Sequence, residues 1–140
     1  MNINDLKSKA AAGSVAAQAT LGMCYLNGIE VPVDYAEAYR LLSKASECGA
    51  TRATLSLAEM FYRGYGTEQN TEEAIRLYVI AATKGEFVAQ IELARIYSTG
   101  VAIPRNLVLA EKWYAAAAAQ AGRVTNCEEL TEAQAFLASI

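Results

Sequence analysis

The same residue types return every 36 positions, and this period constrains the chain more than any other feature. Gly13, Gly49 and Gly85 share one column, and Leu21, Leu57 and Leu93 share another. Tyr25, Phe61 and Tyr97 follow the same step, as do Gly28, Gly64 and Gly100. Ala38, Ala74 and Ala110 match, and so do Ala45, Ala81 and Ala117. A period of this length belongs to stacked helix pairs, each burying its apolar face on its neighbours. The expected fold class is therefore all-α. It is a solenoid of three helix-turn-helix repeats with helical caps at both ends, forming one domain. Residues 1–13 form an N-terminal half-repeat cap. The repeats take residues 14–49, 50–85 and 86–122, and residues 123–140 form a C-terminal capping helix.

Within each repeat the punctuation is local. In the first helix of repeat one, Ala17, Leu21 and Tyr25 recur at helical spacing. Gly28 follows at once, where a left-handed C-terminal cap is needed, and Gly64 and Gly100 repeat it. Pro32 and Pro104 keep the connecting loops extended. Asp34, Asn70 and Asn106 are good N-caps for second helices over residues 35–47, 71–84 and 107–120. Asp34 with Glu37, and Asn70 with Glu73, read as reciprocal capping boxes. Leu109 stands at that place in repeat three, a loss expected to cost about 1 kcal/mol. Gly122 comes one residue late in register and predicts a slightly longer helix. Asn126 and Glu129 read as a further capping box for the last helix, whose apolar face is Leu130, Ala133, Leu137 and Ile140.

Composition limits the function classes. The apolar fraction is 54%, but about a fifth of the residues are alanine, which lets helices approach closely and buries little area. The formal net charge is -3 with no run of Lys or Arg, which argues against nucleic acid as a partner. No apolar stretch is long enough for a membrane span, and the N-terminal residues lack a signal-peptide pattern. The expected setting is the cytoplasm, or an exported compartment if a leader was removed. With no histidine and three irregularly spaced cysteines, no zinc site is expected and no cofactor is implied. Cys24, Cys48 and Cys127 read as free thiols, with a Cys24–Cys48 bridge as the alternative.

Longer motifs carry a family resemblance. The pattern A-A-Q-x-x-L-G-x-x-Y-x-x-G begins at Ala16 and ends at Gly28. V-P-x-D-Y-x-x-A follows from Val31, and A-E-K-W-Y-x-x-A-A from Ala110. These resemble the Sel-one-like repeat, a relative of the tetratricopeptide repeat with a longer loop between helices. The middle repeat departs most, with Thr67, Glu68 and Gln69 in its loop. The resemblance implies a right-handed α/α superhelix and a non-catalytic adaptor or scaffold of bacterial type. It also implies that first helices line a concave groove that takes a peptide or helix of another protein.

On that orientation the groove is drawn from three helices. The first contributes Thr20, Met23, Leu26 and Asn27. The second contributes Arg52, Leu55, Glu59, Tyr62 and Arg63, and the third Ile91, Glu92, Arg95 and Thr99. These columns change chemistry between repeats while the core columns do not. The arginines suit a carboxylate, and Met23, Leu26, Leu55, Tyr62 and Ile91 would supply contact area. Replacing Tyr62 and Arg95 together is expected to weaken capture with little change in stability. A second candidate row, Ile29, Val31, Tyr65, Val101 and Ile103, is expected to tuck under neighbouring structure. The molecule is expected to be monomeric or weakly self-associating.

Catalysis has little support. Some cysteine-rich relatives are associated with penicillin binding, but they carry paired cysteines that this chain does not repeat. There is no histidine for a nucleophile pair, no S-x-x-K and no glycine-rich phosphate loop. The alternative to an adaptor is an inhibitor or immunity-type regulator of one cognate toxin or effector.

Overall fold

The computed structural model describes residues 2–124 and 127–140. Eight helices and no strands are present among the described residues. The chain parts into two compact units, residues 1–80 and 81–140. The first holds α1 (Ile3–Ala11), α2 (Val15–Asn27), α3 (Tyr35–Glu47), α4 (Thr51–Arg63) and most of α5 (Thr71–Thr83). The second holds the end of α5 with α6 (Phe87–Thr99), α7 (Leu107–Ala118) and α8 (Glu128–Ala138).

The helix boundaries follow from capping chemistry. Gly28, Gly64 and Gly100 end α2, α4 and α6 with φ of 70°, 74° and 67°, a left-handed turn that glycine adopts without a Cβ penalty. Asp34, Asn70 and Asn106 each accept a hydrogen bond from the backbone N–H three residues on, at 3.1, 3.0 and 3.1 Å. The reciprocal half of the expected capping boxes is not made. The backbone N–H of Asp34, Asn70 and Asn106 donates instead to the carbonyl of Tyr25, Phe61 and Tyr97, at 3.0, 2.8 and 2.8 Å. The aromatic column thus anchors the start of the second helix through its backbone. Glu37 and Glu73 turn away to pair with Arg40 and Arg76. Leu109 therefore costs its helix no reciprocal bond, because the N–H in question is already satisfied.

A further expectation fails at the C-terminal end. α7 ends at Ala118, so it is shorter than α3 and α5 rather than longer. The chain then turns through residues 119–123, and the Gln120 amide donates to the Gly85 carbonyl at 3.0 Å and to Gln90 Oε1 at 2.8 Å. Those bonds hold Gln120 outside the helix. Asn126, the expected cap of the last helix, lies outside the described residues. At the cap position is Cys127, whose Sγ accepts from the Leu130 N–H at 3.4 Å. All three cysteines are free, so the Cys24–Cys48 bridge is not formed, and Cys48 is exposed.

In the first unit the core is Leu21, Leu41, Leu42, Leu57, Met60, Leu77 and Tyr78. α2 meets α3 closely because Gly22 has no side chain: a Cβ there would lie 2.8 Å from Leu42 Cγ. In the second unit Leu93, Ile96, Trp113, Tyr114 and Leu130 are buried together with the alanine columns. Each core also holds buried polar residues at one register position of the repeat. Gln18 Nε2 donates to the Ala10 carbonyl at 3.2 Å and Gln90 Nε2 to the Ala82 carbonyl at 3.1 Å. Thr54, in the same register, shares a 2.6 Å hydrogen bond with Ser46 Oγ. Each joins a first helix to the last turn of the helix before it, where carbonyls lack intrahelical partners.

Candidate partner-binding face

The proposed binding residues divide by the side of the helix they occupy. On α2, Thr20 and Asn27 are exposed and Met23 is half-buried. On α4, which packs beside α2, Arg52 and Arg63 are exposed, while Ser56 and Glu59 are half-buried. With Ala16 these form a stripe at steps of four, three and four residues, the spacing that keeps one helix face turned outward. On α6, in the second unit, the corresponding register positions are Val88, Glu92, Arg95 and Thr99. Leu26 and Ile91, expected in the groove, are core residues at 9% and 0% exposure. They lie one step around the helix, in contact with the packed side. Leu55 and Tyr62 are intermediate, and Tyr62 meets Tyr78 edge-on with ring centres 6.3 Å apart.

The polar groups of the stripe differ in what remains available. Thr20 and Thr99 donate their hydroxyls to the Ala16 and Arg95 carbonyls of their own helices, each at 2.9 Å. Asn27 Nδ2 donates to the Met23 carbonyl at 3.1 Å. Arg63 pairs loosely with Glu59 at 3.3 Å. Arg52 makes no ion pair among the described residues.

Arg95 is not available for a partner carboxylate, because α8 supplies one. Its guanidinium donates to both oxygens of Glu132 at 2.7–3.1 Å and to Glu92 Oε1 at 2.9 Å. The Tyr114 hydroxyl donates to the other side of Glu132 at 2.6 Å, and its ring packs on Phe136 at 4.7 Å. Hydrogen bonding to Arg95, with help from Tyr114, holds the Glu132 carboxyl below its ordinary range despite burial. Burial, together with the bond to Glu132, pushes the Tyr114 phenol up to about 12. A change at Arg95 would therefore disturb α6, α7 and α8 together, so Tyr62 with Arg95 is not a stability-neutral pair. Sequence reasoning missed Glu132 because α8 breaks the register: its buried leucine, Leu130, follows Leu93 by 37 residues, not 36.

The loop row is only partly covered. Tyr65 stacks on Tyr35 with ring centres 5.3 Å apart, and Val31 and Ile103 are half-buried. Ile29 and Val101 do not tuck in, at 53% and 87% exposure. Among the described residues no group of histidine, cysteine or acidic side chains is placed to hold a metal ion. No described helix is long and apolar enough to cross a membrane.

The helix pairs, their capping glycines and their loop lengths recur as one unit, and the Sel1 repeat matches it three times, at residues 15–49, 51–86 and 88–121. The chain belongs to the Sel1 repeat family. It is similar to a Sel1 repeat protein from Oxalobacter formigenes, at 36% identity over 99% of this chain and 98% of that one, with a TM-score of 0.78. It is also similar to c5321, a protective antigen present in uropathogenic Escherichia coli strains that displays an SLR fold. There the identity is 25% and the TM-score 0.79, over 96% of this chain and 32% of the antigen, so the chain spans about a third of that protein. Cysteine rich protein B of Helicobacter pylori shares the fold, with a TM-score of 0.70 at 17% identity over 91% of this chain and 93% of that one. No curated protein matches the sequence. Sel1 repeats are in general non-catalytic modules for protein–protein interaction.

Proposed function

We propose that the chain is a bacterial adaptor that binds a peptide or helix of another protein on the outward stripe of α2 and α4. One observation carries the reading. The inward columns of these helices repeat their chemistry, whereas the outward stripe changes from Ala16, Thr20, Met23 and Asn27 to Arg52, Ser56, Glu59 and Arg63. Packing requires the first kind of column to be alike in every repeat and asks nothing of the second. The stripe on α4 presents an exposed arginine without an ion pair at one end and a second, loosely paired, at the other, a combination suited to an acidic partner segment. A cytoplasmic setting suits the three free thiols.

The test is capture on the immobilised chain beside an Arg52→Glu, Arg63→Glu double variant. Both residues are exposed, so the variant should unfold at the same temperature as the wild type. A protein retained by the wild type and lost by the variant supports the reading, and equal retention by both refutes it.

A further inference from the structure

Beside that stripe, and sharing its Ala16 and Thr20, α1 and α2 enclose an open hollow of about 510 Å³. Its lining is mostly apolar, with Ile3 and Leu6 from α1, Ala17 and Cys24 from α2, and the exposed Ile29. Its rim carries two opposite charges, Lys9 and Glu30, and neither makes an ion pair among the described residues. The helices run antiparallel across a short turn, so Lys9 lies at the turn end and Glu30, just past α2, at the end where α1 begins.

Three departures from the repeat single this hollow out. Glu30 is the sole described residue other than glycine with a positive φ, at 65°. Its counterpart one repeat on is Gly66, at φ 70°, where a Cβ would strike the Tyr35 side chain. Glutamate rarely adopts this conformation, so here a carboxylate is held at the rim by a strained backbone. Asn2 and Lys9 stand in columns otherwise filled by Ala38, Ala74 and Ala110, and by Ala45, Ala81 and Ala117, all 0% exposed. Those alanines admit a closely packed helix. Asn2 and Lys9 keep one out, which disfavours a helix of a second copy as the occupant and leaves room for a thinner, extended chain.

We propose that the hollow binds an extended peptide segment of a partner protein, with successive apolar side chains packed alternately against α1 and α2, an acidic residue at Lys9 and a basic residue at Glu30. The seven steps from Asn2 to Lys9 span about 10 Å of helix, the reach of three steps along an extended chain. The charged residues of the segment are therefore three positions apart.

The probe is the blocked tetrapeptide acetyl-Glu-Leu-Leu-Arg-amide, titrated into the ¹⁵N-labelled full chain and followed by amide resonances. Saturable shifts are expected at Leu6, Ala17 and Cys24. Lys9→Ala and Glu30→Gly should each raise the apparent Kd at least fivefold, as should replacing both charged residues of the peptide by serine. Glu30→Gly relieves the left-handed strain, so a weaker Kd with an unchanged or higher melting temperature separates lost binding from lost fold. No saturable shift at these amides, or shifts indifferent to both rim variants, would overturn the proposal. So would the same shifts appearing on concentrating the protein without peptide, which would show a second copy covering the hollow. Arg52 and Arg63 lie outside the hollow, so failure here leaves the adaptor reading standing.

Discussion

At the scale of single residues, the carboxylates do different work from what their positions suggest. Asp34 caps α3 with its side chain, whereas Glu37 pairs with Arg40 and does not reach back. Asp34→Ala should therefore lower stability by about 1 kcal/mol. Glu37→Ala, which removes only an exposed ion pair, should cost less than about 0.5 kcal/mol. Urea unfolding of the two variants distinguishes this from a reciprocal box, in which both would cost alike. Glu132 is held below its ordinary range by its bonds to Arg95 and Tyr114, so its folded pKa lies below the unfolded value of about 4.3. Its ionised form contributes stability above that unfolded value and loses it as pH falls through the folded one. Glu132→Gln should cost about 1 kcal/mol at pH 7. The gap to the wild type should close as the pH is lowered below 4. A gap constant between pH 7 and pH 3 would contradict the assignment.

At the scale of elements, most of the fold is legible in the sequence because helix ends and inward columns obey local rules. The start of α3, α5 and α7 follows from Asp34, Asn70 and Asn106, and the end of α2, α4 and α6 from left-handed glycines. The inward set of α3, Ala38, Leu41, Leu42 and Ala45, is buried as periodicity demands. Expectations fail where long-range bonds override local signals: Gln120 ends α7 early, and the Tyr25, Phe61 and Tyr97 carbonyls take the cap N–H groups. The buried polar residues Gln18, Thr54 and Gln90 share one register, and their role depends on the neighbouring helix end, which the repeat pattern does not disclose. Gln90→Leu should cost about 1 kcal/mol by removing one bond to the Ala82 carbonyl, which keeps the Gly85 N–H as a donor. It should also release Gln120. Leu57→Ala, at 7% exposure within the first unit, should cost about 2–5 kcal/mol. Thermal unfolding of both variants checks these magnitudes, and a neutral Leu57→Ala would mean that the core has been misplaced.

At the scale of the whole molecule, this Sel1 repeat chain is a set of recurring inward columns that frees its outward ones. The candidate site was less legible than the fold for that reason. Periodicity places a residue on a helix but leaves a step of one position undetermined, and that step is what buries Leu26 and Ile91. It also says nothing of helices outside the register, so the capture of Arg95 by Glu132 had no signal in the repeat. What remains outward is the stripe on α2 and α4, with Arg52 unpaired. The deciding measurement is comparative capture from a lysate of the source cell, with wild type and the Arg52→Glu, Arg63→Glu variant immobilised at equal density and bound proteins identified by mass spectrometry. The account predicts a protein retained by the wild type, lost by the variant, and released by raised salt, with both chains melting at the same temperature. Retention of the same proteins in equal amount by both chains would contradict it.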